Sequence, residues 1–253
     1  LTKSGEKMRR LDEMQRFLTL AAMASIVSLA PMALTGCGTS EVAEESKKDS
    51  TPKVAQETGQ ESDFVTPEDE EKFLKPRTKP STVEFPEAEF QEGRKLLMQQ
   101  KPEQGAKVLL SKLDQAAEAA AGQTKLGQYL VRVNNNLFRI NRLKEAQKYS
   151  ILAARIFYAQ PPEKRPTPMW FFNVHFRQGL GYKYLGFNKQ AELQLRKAVN
   201  IASSAPSGQI DWYWHRLVYA ELLDTLQREK KTEQAKIVAE QLKEFEKTKP
   251  AGK

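Results

Sequence analysis

The stretch that decides the fold is GLGYKYLGFNKQAELQLRKAVNIA, residues 179–202. Gly179, Tyr182, Gly186, Ala191, Leu195 and Ala198 stand in it at offsets that suit two helices packed side by side. Small residues let the helices approach closely, and the larger ones fill the seam between them.

The second helix of that pair recurs along the chain. NRLKEAQKYSILAARIF (141–157) sets Ala146 and Ala153 seven apart, and KKTEQAKIVAEQLKEF (230–245) does the same with Ala235 and Leu242. A weaker copy, GRKLLMQQKPEQGAKVLLSKL (93–113), carries Gly93, Leu96 and Ala106, one residue longer from glycine to alanine than the copy at 179–191. The alanines at 106, 146, 191 and 235 step by 40, 45 and 44 residues. Between copies lie QPPEKRPTP (160–168) and SSAPSGQ (203–209), whose Pro, Gly and Ser break helices.

The pattern resembles the tetratricopeptide repeat, a helix hairpin with Gly-x2-Tyr in its first (A) helix and Ala-x3-aromatic in its second (B) helix. Leu195 stands where that family usually has the aromatic, and the steps exceed the family's period of about 34. Long connections and longer helices account for the excess. The resemblance implies an all-α, TPR-like α-α superhelix of about four hairpins, near 84–121, 123–160, 168–204 and 209–247. Each hairpin buries its apolar face by stacking on the next. The last helix, EQAKIVAEQLKEFEKTK, is amphipathic with a charged outer face, as a terminal cap requires.

Ahead of the repeats the chemistry changes. From Met14 the chain reads MQRFLTLAAMASIVSLAPMALTGC: a short head with Arg16, an apolar run from Phe17 to Ala33, then small residues. That order is a secretory signal peptide, with Met8 or Met14 as its start. Leu34-Thr35-Gly36-Cys37 resembles the lipobox of bacterial lipoproteins, and Cys37 is the only cysteine of the chain. The resemblance implies that the thiol of Cys37 carries a diacylglycerol, that residues 1–36 are removed, and that acyl chains such as palmitate hold the protein to a membrane. Burial of the chains contributes about 0.8 kcal/mol per methylene, so two or more hold firmly. The alternative is an uncleaved signal anchor with an incidental cysteine. Gly38 follows in place of the aspartate that resembles an inner-membrane retention signal in enteric bacteria, which favours the outer membrane.

Residues 38 to about 80 are rich in Ser, Thr, Glu, Lys and Pro and hold 11 acids against 7 bases, whereas residues 81–253 hold 18 against 28. The acidic segment is expected to be a disordered tether, because it offers little to bury. As a flexible coil it would reach about 35–40 Å. Within it TPEDEEKFL (66–74) is suited to one transient capped turn, with Thr66 as cap and Pro67 at the first position. The expected organisation is a signal peptide (1–36), a lipidated N-terminus and linker (37–82), a helical-repeat domain (83–248) and a disordered tail (249–253).

In tetratricopeptide arrays the A helices line a groove. Carrying that frame over from Ala146 and Ala191 puts Arg132, Asn135 and Arg139 on one helix face. Asn173, Phe176, Arg177, Leu180, Lys183 and Tyr184 become their neighbours in the next hairpin. Asn amides can fix a peptide backbone, and Arg forks onto carboxylates. An acidic peptide or C-terminus is the implied ligand; solvated polar positions are the alternative. The aromatic runs MWFFNVHF (169–176) and DWYWHRLVY (211–219) offer Trp170, Phe171, Trp212 and Trp214 either as binding anchors or as packing between hairpins.

Chemistry for catalysis is sparse. His175 and His215 are the only histidines, without a surrounding ligand set for a metal. No phosphate loop, HExxH or nucleophile elbow occurs. No cofactor is expected beyond the covalent lipid. The sequence therefore points to a non-enzymatic, lipid-anchored scaffold or assembly factor at the periplasmic face of the bacterial outer membrane. Its partner would be an envelope protein, as in outer-membrane or pilus assembly. The rival is a cell-wall hydrolase or its regulator, with Glu192 or Glu221 as acid. Nucleic-acid binding by the basic domain fails if the chain is exported.

Overall fold

The computed structural model describes residues 60–77, 81–120 and 123–249. The leader, Cys37, the tether up to residue 59 and the tail from residue 250 lie outside the described residues. Among the described residues every regular element is a helix.

A single turn of 3-10 helix, Glu61–Asp63, leads into α1 (Pro67–Leu74). Four hairpins follow. The first pairs α2 (Glu87–Met98) with α3 (Pro102–Ser111), which continues after a break at Lys112 as α4 (Leu113–Ala120). The second pairs α5 (Thr124–Arg139) with α6 (Leu143–Ala159). The third pairs α7 (Pro168–Tyr184) with α8 (Asn188–Ser204), and the fourth pairs α9 (Trp212–Arg228) with α10 (Thr232–Lys247). These are the four hairpins expected from the alanine spacing. The steps near 45 arise from helices of 17 residues joined by the Pro- and Ser-bearing connections at 160–167 and 205–211.

One turn geometry closes all four hairpins. Gln100, Asn141, Gly186 and Lys230 take positive φ of 61°, 61°, 86° and 58°. The N–H of the next residue reaches back to the last turn of the A helix: Lys101 to Leu96, Arg142 to Leu137 and Phe187 to Tyr182 at 2.9 Å, Lys231 to Leu226 at 3.0 Å. This left-handed stop satisfies carbonyls that the helix end leaves open. It also corrects the register of the first hairpin. The residue equivalent to Ala146, Ala191 and Ala235 is Gly105, five past the positive-φ residue, and not Ala106.

Close approach of A to B explains the small residues. A Cβ on Gly93 would sit 2.7 Å from Leu109, and one on Gly179 would sit 2.6 Å from Leu195. In the second hairpin Asn134 takes the glycine's place and donates from Nδ2 to the Ala146 carbonyl at 2.6 Å. The buried side chains form two clusters, one through hairpins one and two, one through hairpins three and four, with Phe138 packed against both. At the far end α10 buries only Ala235 and Val238 and turns Lys236, Glu240, Lys243 and Glu244 outward, the pattern of a cap.

The expectation of disorder up to residue 80 is corrected over residues 60–77. Thr66 and Asp69 form a capping box, with the Asp69 N–H on Thr66 Oγ1 at 3.2 Å and the Thr66 N–H on the Asp69 carboxylate at 3.1 Å. Phe73 is 1% exposed and Val65 4%. Phe73 meets Tyr149 edge-on at 6.3 Å, and Phe64 meets Tyr182 at 5.8 Å. Composition argued against burial, yet three apolar side chains with partners some 80 to 120 residues later in the sequence are enough to pin the segment down.

Candidate functional site

The A-helix faces of α5 and α7 bring together part of the expected groove. At the centre, the Arg177 guanidinium lies over the Phe138 ring at 5.2 Å, and Phe138 meets the Tyr184 ring at 5.9 Å. Phe138 and Arg139 end α5, and Tyr184 ends α7, so both helix C-termini present these groups at one level. Arg177 is 7% exposed, whereas Tyr184 is 44% exposed. Burial first, and then the charge of Arg139, push the Arg177 guanidinium down to about 10. The positive charge of Arg139 is therefore felt at Arg177, and this part of the α5–α7 face is electropositive. Burial and the Glu221 carboxylate push the Tyr184 hydroxyl up, with Lys183, Arg228 and Arg177 opposing, so the phenol remains a neutral donor.

Other members of the set have different places. Arg132 is half-buried between two aromatic rings, 5.8 Å from Phe90 and 5.4 Å from Trp170, and so staples hairpins one, two and three together. Asn135 is half-buried, and its Oδ1 is sequestered without a hydrogen-bond partner. Asn173 is half-buried on α7. Phe176 is not in the groove at all: it is 1% exposed, stacked on Phe172 at 5.6 Å and edge-on to Trp214 at 6.1 Å. Arg177 is the next residue, about 100° on around the helix, enough to turn the two side chains to different faces.

Lys183 is buried and engaged within the protein, its Nζ 2.5 Å from Glu221 and 2.5 Å from Asp224. Burial works against its charge, but the two carboxylates outweigh this and raise its pKa. It therefore ties α7 to α9 and is not offered to a ligand. Nothing close to Lys183 in the chain announces this pairing, since the carboxylates lie 38 and 41 positions on. Phe138, absent from the expected set, was detectable as the residue before Arg139 on a helix end.

The aromatic runs mostly pack. Trp212 stacks on Phe245 at 5.6 Å, Trp214 covers Phe176, and Phe171 lies against Phe157 and Tyr158. The histidines serve different contacts. His175 bonds Tyr158 and Gln194, while His215 lies against Tyr219 and Phe245. Among the described residues no group of three or more His, Cys, Asp or Glu is placed to hold a metal ion.

The two carboxylates proposed as acids are each held by cations. Glu192 pairs with Lys231 and Arg196, which hold its carboxyl below the ordinary range despite burial. Glu221 pairs with Lys183. A general acid needs the opposite environment, one that keeps its proton. Hollows of about 730, 390 and 300 Å³ lie beside α1 and α4, between α9 and α10, and among α8, α9 and α10. None of these three is lined by the arginine pair or by both candidate acids. Among the described residues no helix is long and apolar enough to cross a membrane. Comparison with known protein families and with curated proteins finds no match to this chain.

Proposed function

We propose that this chain is a lipid-anchored scaffold of the bacterial envelope that holds an acidic peptide segment of a partner protein against the α5–α7 face. The observation that carries the reading is the sheltered Arg139–Arg177 pair beside the Phe138–Tyr184 rings. Arg139, half-buried at the end of α5, gives charge and directed donors for a carboxylate, the buried Arg177 adds positive potential, and the rings give a flat apolar rest. Lipidation at Cys37 would place that face outside the cytoplasm, in line with the leader and the LTGC motif.

The test is cross-linking in cells from a photoreactive residue at position 184, followed by identification of the adduct. A discrete envelope-protein adduct that disappears with Arg139→Glu supports the proposal. An adduct unaffected by Arg139→Glu rejects the face as drawn. Separately, Cys37→Ser should abolish acylation and release the protein from the membrane fraction; an unmodified thiol on a chain with an intact leader rejects the anchor.

A further inference from the structure

Residues 60–77 dock on the repeats as one segment. They carry six acids (Glu61, Asp63, Glu68, Asp69, Glu70 and Glu71) against Lys72, Lys75 and Arg77. Their local hydrogen bonds close on themselves, with Val65 N–H on the Glu61 carbonyl at 3.0 Å and the Thr66–Asp69 box. They reach the repeats through side chains. Asp69 pairs with Lys148 at 3.0 Å, and Arg155 pairs with Glu61 at 3.0 Å and with Glu70. Phe73 plugs in beside Tyr149 on the second hairpin, and Phe64 beside Tyr182 and Phe187 on the third. The receiving surface is thus a slot centred on α6, with Lys148, Tyr149 and Arg155, extended by Tyr182 of α7 and Phe187 at one end and by Asp114 and Glu118 of α4, which take Lys72 and Arg77, at the other. A short, locally hydrogen-bonded helix held by three apolar side chains and partly exposed ion pairs is the kind of segment that opens before the rest of the core does. The link from Lys75 to Phe85 keeps it attached when it lifts.

We infer that the α6 slot is a second binding site, for acidic, phenylalanine-bearing helical segments of another protein, and that residues 60–77 are its resident occupant, displaced when such a segment binds. The chemistry is that of an amphipathic helix seated in a groove, apolar plugs giving affinity and rim charges giving choice of partner. This site centres on a B helix, α6, borrows Tyr182 from α7, and shares no residue with the arginine pair.

The probe is a fluorescent peptide of residues 60–77, titrated at low ionic strength into the full chain. In the Phe64→Ser/Phe73→Ser variant, which loosens the resident segment, the peptide should bind at least tenfold more tightly than to the unaltered chain. Adding Lys148→Glu and Arg155→Glu, or raising the salt, should weaken that binding at least tenfold. A variant with unchanged helical circular dichroism that binds no peptide overturns the inference. So does binding that ignores the two charge reversals. If the serine variant loses helicity, Asp69→Lys/Glu70→Lys loosens the segment without touching the plugs, and the same outcomes decide. Dimers that form by exchange of the segment would make the occupant a second copy and overturn the assignment to a foreign partner.

Discussion

The hydroxyl oxygen of Tyr158 lies 2.6 Å from Nε2 of His175, joining α6 to α7. On the other side of the ring Nδ1 lies 2.8 Å from Gln194 Oε1 on α8. An amide oxygen can only accept, so Nδ1 carries the proton and Nε2 accepts from the phenol. The imidazole is neutral, and burial pushes it down to about 4, with the Gln194 bond opposing. An unfolded histidine protonates near pH 6.5. The unfolded chain therefore gains the proton first as pH falls, and the stability held above pH 6.5 is lost on the way down to about 4. By pH 5 the loss should reach about 2 kcal/mol. Urea midpoints at pH 7 and pH 5 should show this slope, and His175→Gln should remove most of it. His215, also lowered by burial, accounts for a smaller remainder.

Arg139 and Lys183 were expected to act alike, and the structure separates them. Arg139→Glu should abolish capture of an acidic peptide with a change in stability under about 1 kcal/mol, as for half-exposed charges. Lys183→Met should lower stability by about 1–2 kcal/mol, because Glu221 and Asp224 lose their shared cation while keeping some access to water. Capture by the folded fraction of Lys183→Met should be unchanged. Peptide titrations paired with urea melts separate the two effects.

Gly179 is a packing position. An added Cβ would sit 2.6 Å from Leu195 Cγ and 3.3 Å from the Leu195 backbone N. Gly179→Ala should therefore cost roughly 1–3 kcal/mol from overpacking. Truncating the neighbour makes room, so Gly179→Ala should cost much less in a Leu195→Ala background. A double-mutant cycle measures that coupling, and additive costs would refute the contact.

What the sequence disclosed followed from what is local. The hairpin limits were legible because proline and serine connections interrupt a helical period, and Gly179 could be read as a close approach because Leu195 lies in the same hairpin. Where partners are distant the reading failed. Acidic composition concealed Phe64, Val65 and Phe73, whose contacts lie on other hairpins. Lys183 looked available because nothing near it announces Glu221 and Asp224. Phe176 was set in the groove by the repeat frame, but its neighbours Phe172 and Trp214 claim it for the core. The first hairpin's register slipped because Gly105 stands where the other three have alanine, and Ala106 lies beside it.

That turn supplies a graded test. The left-handed conformation costs an ordinary L-residue about 1–2 kcal/mol, costs asparagine less, and costs glycine nothing. Glycine also loses more freedom on folding, which returns about 0.4–1 kcal/mol of the gain. Lys230, at φ 58°, should thus become more favourable as Lys230→Gly by roughly 0.5–1 kcal/mol. Asn141→Gly should be near neutral. Gly186→Ala, at φ 86° with open space around its Cβ position, should destabilise by about 0.5–1 kcal/mol, strain less the unfolded-chain entropy that alanine saves. The order Lys230→Gly, Asn141→Gly, Gly186→Ala in falling urea midpoint is the expected result. A destabilising Lys230→Gly would mean that the fourth hairpin does not close with the left-handed stop of the other three.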